Sequence, residues 1–68
     1  MTAYQLLLSK RTMKDLCRDF DLTETIRDPE ISTVRGWIMD ELEKRNPEMF
    51  EKWIDEGYDK SPKEYFLN

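Results

Sequence analysis

Few side chains in this sequence could do covalent or metal chemistry. There is one cysteine, Cys17, and no histidine. Nucleophilic catalysis needs a nucleophile beside a positioned base, most often histidine, so Cys17 has no usual activating partner. It also lies between Leu16 and Phe20 on an apolar stripe, which predicts a buried structural thiol. A zinc site of the usual kind takes about four Cys and His ligands, and one cysteine cannot supply them. The carboxylates Asp40, Glu41, Glu43, Glu48, Glu51, Asp55 and Glu56 are numerous enough for acid–base work. They stand beside Lys44, Arg45 and Lys52 on helical spacing, the usual pattern of a solvated helix face. The stretch from Asp55 to Asp59, DEGYD, lacks the alternating acids and the distal glutamate of a calcium loop. The expectation is a protein that is not an enzyme and needs no cofactor or metal.

Two binding chemistries remain. The first is acidic. Glu48, Glu51, Asp55 and Asp59 share one side of a helical segment interrupted by Lys52, and Asp40 and Glu43 lie on the segment before it. A row of carboxylates can occupy a basic groove on another protein by imitating the charge of a nucleic acid. The second is a helix-turn-helix reading, with residues 12–20 as first helix and Ser32, Thr33 and Arg35 opening a recognition helix. Against it, the connector from Phe20 to Ser32 far exceeds a turn of three or four residues. Asp40, Glu41 and Glu43 would also repel phosphates further along the same helix. A protein partner is therefore expected, and a nucleic-acid partner is not.

Charge points the same way. The net charge is −4. Residues 1–34 carry five basic and six acidic side chains, residues 35–68 six and nine, so the acidity gathers in the C-terminal half. No apolar run approaches the roughly 20 residues that span a bilayer, and the first residues lack the pattern of a secretory signal. The chain reads as cytoplasmic, without a membrane partner.

The elements that must position these residues are helical. The chain has 68 residues with only two glycines and three prolines. Met13, Leu16, Cys17 and Phe20 recur at i, i+3, i+4 and i+7, one stripe of a helix that Thr12 could cap. The first 20 residues form either two helical pieces or one helix bent near Lys10. Residues 21–32 read as a connector, in which Thr23 to Arg27 could make one turn and Leu22, Ile26 and Ile31 cover the core edge. A second helix is expected after Ser32 or Thr33, running to about Arg45, with Val34, Trp37, Ile38 and Leu42 inward and Met39 at the margin. Gly36 marks either a close helix crossing or a tolerated defect. A third helix is punctuated by Asn46 as cap, Pro47 at the first position and Gly57 past the end. It turns Met49, Phe50, Trp53, Ile54 and Tyr58 to one side. Ser61-Pro62 with Glu64 could start a last turn that folds Tyr65, Phe66 and Leu67 onto the body, or these rings could stand free as a docking motif.

The expected fold is thus all-α, a single domain of three main helices and a short C-terminal helical turn. The core would hold Leu16, Phe20, Val34, Trp37, Ile38, Leu42, Phe50, Trp53 and Ile54. Apolar rings beyond the needs of so small a core allow a further possibility, self-association into a homo-oligomer.

Residues 33–55, TVRGWIMDELEKRNPEMFEKWID, and the preceding 22–34, LTETIRDPEISTV, resemble short uncharacterised proteins encoded on phages and conjugative elements of Gram-positive bacteria. The likeness covers roughly residues 12–56 and carries no catalytic or ligand-binding motif. It implies a mobile-element accessory protein of the kind that binds host or element proteins. With the acidic face, the expected function is a small interaction module, for example a stoichiometric inhibitor of a host protein such as a defence nuclease.

Overall fold

Three of the helices begin at a residue whose side chain takes up a backbone N–H that the helix itself leaves unbonded. In the computed structural model, which describes residues 2–57 and 60–67, Thr2 opens α1 (Ala3–Ser9) with a reciprocal box. Its hydroxyl accepts from Gln5 N at 3.1 Å, and Gln5 Oε1 accepts from Thr2 N at 2.8 Å. Thr12 opens α2 (Met13–Thr23) by accepting from Asp15 N. The first 20 residues therefore form two helices, broken at Lys10 to Thr12.

The start of α3 (Ile31–Arg45) departs from the sequence expectation. Ser32 and Thr33 lie inside its first turn rather than before it. The cause is upstream: Asp28 Oδ1 accepts from Glu30 N at 2.9 Å, and Ile31 N donates to Asp28 O. This Asx turn, with Pro29 inside it, launches the helix two residues early. On the other side, α2 loosens through Glu24, Thr25 and Ile26, whose N–H groups bond back three residues. Residues 24–30 make the connector.

Asn46 performs two tasks at once. Its N–H donates to Leu42 O, closing α3, and its Oδ1 accepts from Met49 N, opening α4 (Pro47–Asp55). One residue joins the two helices, with Pro47 ready at the first position of the second. Gly57, at φ 96°, follows the end of α4 in the left-handed conformation that glycine adopts without strain. The tail forms α5 (Lys63–Phe66). There Ser61 accepts from Lys63 N and donates to Asp21 Oδ2 at 2.8 Å, which ties the tail to α2.

The five helices pack as a small all-α bundle, and no strand occurs among the described residues. Helix α3 is central, touching α1, α2 and α4, while α5 closes over α2 and α4. Leu8, Leu16, Cys17, Phe20, Ile38, Leu42, Trp53 and Tyr65 are buried. Val34, Trp37, Phe50 and Ile54, expected inside, are half-buried against this core. Trp53 is its hub. Phe20, Phe50 and Phe66 approach edge-on at centroid distances of 5.0, 6.0 and 6.1 Å, and Trp53 Nε1 donates to Lys60 O at 2.9 Å. Such ring pairs add about 0.5–1.5 kcal/mol each beyond area burial. The tail rings thus join the core, with Tyr65 buried, Phe66 half-buried and Leu67 exposed. Leu22 and Ile26 do not cover the core edge; both are exposed. A Cβ added at Gly36 would meet nothing within 4 Å, so this glycine permits no close crossing among the described residues.

Candidate protein-binding surface

The single-residue joint at Asn46 fixes where the acidic side chains fall. It folds the last turn of α3 against the outer side of α4, so Glu43 stands with Glu51 and Asp55 around a depression of about 310 Å³. Pro47, Phe50 and Ile54 complete its lining. Phe50 and Ile54 are the half-buried edge of the core, and their outer atoms give the depression apolar contact area. On the other side of α3, Asp40 and Glu43 line a second depression of about 280 Å³ with Gln5, Trp37, Glu41 and Lys44. Glu43 belongs to both, so the carboxylates form a belt over the helix corner. Glu48 is exposed in the first turn of α4, where an acid favours the helix dipole. Asp59 lies outside the described residues, as does Tyr58.

Among the described residues, Asp40, Glu43, Glu48, Glu51 and Asp55 make no hydrogen bond or ion pair through their side chains. Glu41, one position from Asp40, differs. It holds Arg45 Nε at 3.3 Å, and Arg45 Nη2 donates to Leu8 O and Ser9 O, each at 3.2 Å. Helix α1 has no basic residue in its last turn, so Arg45 supplies from α3 the cation that its C-terminal carbonyls favour. Neither Leu8 nor Ser9 is near Arg45 in sequence, and no local pattern signals the contact. The belt is thus divided between Glu41, bonded within the fold, and carboxylates that make no side-chain bond among the described residues.

The helix-turn-helix residues are placed differently. Ser32 and Thr33 are exposed on the first turn of α3, but Arg35 lies over the Phe20 ring, its guanidinium carbon 4.7 Å from the centroid. That cation–π contact holds the arginine against its own domain. A larger depression of about 590 Å³, between α4 and α5, is lined by Met49, Lys52, Glu56, Lys63, Glu64 and Tyr65, with Tyr65 Oη donating to Glu56 Oε1 at 3.0 Å. Its two lysines and two glutamates balance in charge, so it presents no single electrostatic character to a ligand.

Cys17 is fully buried, and its thiol is pushed from the ordinary 9.0 up to about 11 by loss of hydration, aided by the Asp21 carboxylate and opposed by Lys63. A thiol held protonated in an apolar core is a poor nucleophile. No group of three metal-binding side chains gathers among the described residues. None of the described helices is long and apolar enough to cross a membrane. Comparison with protein-family models, curated proteins and solved structures returned no match to this chain.

Proposed function

We propose that this chain is a protein-interaction module acting by stoichiometric binding, with the α3–α4 corner as its contact surface and a basic amphipathic segment of another protein as its target. The observation that carries this reading is the placement of unpaired Glu43, Glu51 and Asp55 around Pro47, Phe50 and Ile54. Lysines or arginines on the partner would meet the carboxylate rim, and its apolar side chains would cover Phe50 and Ile54. A charged rim chiefly sets encounter rate and partner choice, while desolvated apolar area supplies affinity. On this reading Asp40 and Glu48 extend the rim, the protein is not an enzyme, and it requires no cofactor. The likeness to phage and conjugative-element proteins makes a cytoplasmic accessory protein the natural setting. A host protein with a basic groove, such as a defence nuclease, is then a fitting target.

The test is affinity capture from a bacterial lysate with the wild-type chain beside a Glu43→Lys/Glu51→Lys/Asp55→Lys variant, followed by titration of the captured protein across a salt series. Capture of one protein with a basic surface, lost in the variant and weakened by salt, is the expected result. Equal capture by both forms would remove the corner as the contact surface. Turnover of a substrate by substoichiometric amounts of the purified chain would overturn the binding-module reading altogether.

A further inference from the structure

The large apolar side chains left in water are not scattered. Of the six exposed among the described residues, Tyr4, Leu7, Leu22 and Ile26 line one groove between α1, the end of α2 and the start of α3, at 36, 54, 53 and 45% exposure. Half-buried Ile31 and Val34 complete its apolar wall, and its volume is about 390 Å³. We infer that this groove is a homodimer interface, covered by the same face of a second copy of the chain.

Area and charge both point to a second copy. At roughly 200 Å² for a fully exposed large side chain, the four exposed residues alone present roughly 400 Å². A standard interface takes about 800 Å² from each partner, of which a little over half is apolar. The groove therefore supplies close to the apolar share of one side of a stable dimer. A two-fold contact sets each patch against itself, so a patch with net charge repels its own copy. Among the described residues, the charged ones lining it are Arg11 and Asp19, which neutralise each other with Nε 2.6 Å from Oδ2. Both are already largely withdrawn from water, so covering them costs little further hydration. The α3–α4 corner, with its unpaired carboxylates, could not face itself in this way. The gain also meets a need, because a domain this size gains little stability from its own core, and this one has no disulfide to assist it.

The experiment is sedimentation velocity of the full chain from about 1 μM to 1 mM, a range that brackets weak and moderate dimers. Wild type is expected to rise from the 8.3 kDa monomer to twice that mass. Leu22→Lys/Ile26→Lys should stay monomeric throughout with an unchanged helical circular-dichroism spectrum. Glu51→Lys/Asp55→Lys should dimerise as wild type does, which separates this interface from the α3–α4 corner. If the first variant does not fold, Leu7→Lys on the opposite wall is read in its place. A wild-type chain monomeric at 1 mM overturns the inference, as does dimerisation unaffected by folded groove variants. Wild type that stays monomeric but sediments with neutral phospholipid vesicles would assign the groove to lipid instead.

Discussion

Two sides of this bundle, its Trp53 end and its Leu7 end, carry large apolar side chains with opposite outcomes. Around Trp53, the rings of Phe20, Phe50 and Phe66 arrive from α2, α4 and α5 and close over one another. Around Leu7, Leu22 and Ile26, side chains of equal hydrophobicity stay half in water. Hydrophobicity alone does not decide burial; the difference is whether a further element returns to cover the face. At the Trp53 end Gly57 ends α4, the chain turns back, and the Ser61–Asp21 bond fixes the tail. At the other end, among the described residues, α1 packs chiefly on α3 and leaves these side chains uncovered. One end is therefore covered by the described chain, and the other is the one we assign to a second copy.

The largest effect should come from breaking the finished end. Trp53→Ala removes the hub that three rings share, and loss of a buried tryptophan costs about 3–5 kcal/mol. That is close to the whole stability a single core of this size supplies. The variant should be largely unfolded at 25 °C, with near-ultraviolet circular dichroism lost. A cooperative urea transition near that of wild type would show that the ring cluster is not the stabilising centre.

Alkali tests the same end without mutation. Because burial raises the Cys17 pKa from 9.0 to about 11, the folded state holds its thiol proton in a pH range where the unfolded chain has released it. The contribution is constant below pH 9 and is lost as pH rises from 9 to about 11. It amounts to about 2–3 kcal/mol at most. Cys17→Ala should flatten that part of the profile relative to wild type in urea denaturation at stepped pH. In the native protein the thiol should react with alkylating reagents only at the rate of unfolding.

The open end is held to α3 by long-range contacts, the Tyr4 ring 5.6 Å from Trp37 and Arg45 on the carbonyls that end α1. Arg45→Met keeps the aliphatic stem but removes the donors to Leu8 O, Ser9 O and Glu41. Charge-assisted hydrogen bonds contribute about 1.5–3 kcal/mol when partly buried, and these two carbonyls are partly wet, so the expected loss is about 1–2 kcal/mol. Hydrogen exchange should rise in α1 and remain unchanged in α4 and α5. A uniform rise across all helices would mean that α1 is no separate unit.

These contacts also divide what the sequence displays from what it conceals. Local signals were legible. Thr12 and Asn46-Pro47 cap as their types imply, Gly57 stands where a left-handed residue is needed, and the Leu16, Cys17 and Phe20 stripe faces inward. The acidic side of α4 was legible too, since helical periodicity alone places Glu48, Glu51 and Asp55. Its junction with Glu43 was not, because that depends on the angle α3 and α4 adopt at Asn46. The start of α3 was misplaced since Ser32 and Thr33 have capping side chains, while the Asx turn at Asp28 sets the first turn before them. Arg45 on α1, Arg35 over Phe20 and Ser61 on Asp21 join residues far apart in the chain, and no spacing rule reaches that distance.

Gly36 gives the smallest effect and the sharpest division between the two ends. It lies inside α3 without a positive φ, and no atom stands where a Cβ would go. Glycine there costs about 1 kcal/mol relative to alanine through the freedom of the unfolded chain. Gly36→Ala should therefore stabilise the monomer by about 1 kcal/mol and raise Tm by about 4–8 °C. Because α3 touches both α1 and α4, the gain should appear at both ends of the bundle in hydrogen exchange. If thermal denaturation instead shows a loss, the backbone at position 36 is needed bare. Since no described residue lies within 4 Å of that space, a group from another molecule is the candidate for needing it. Repeating the melt at low and high protein concentration identifies a second copy as that molecule: the loss would appear only where the chain is dimeric.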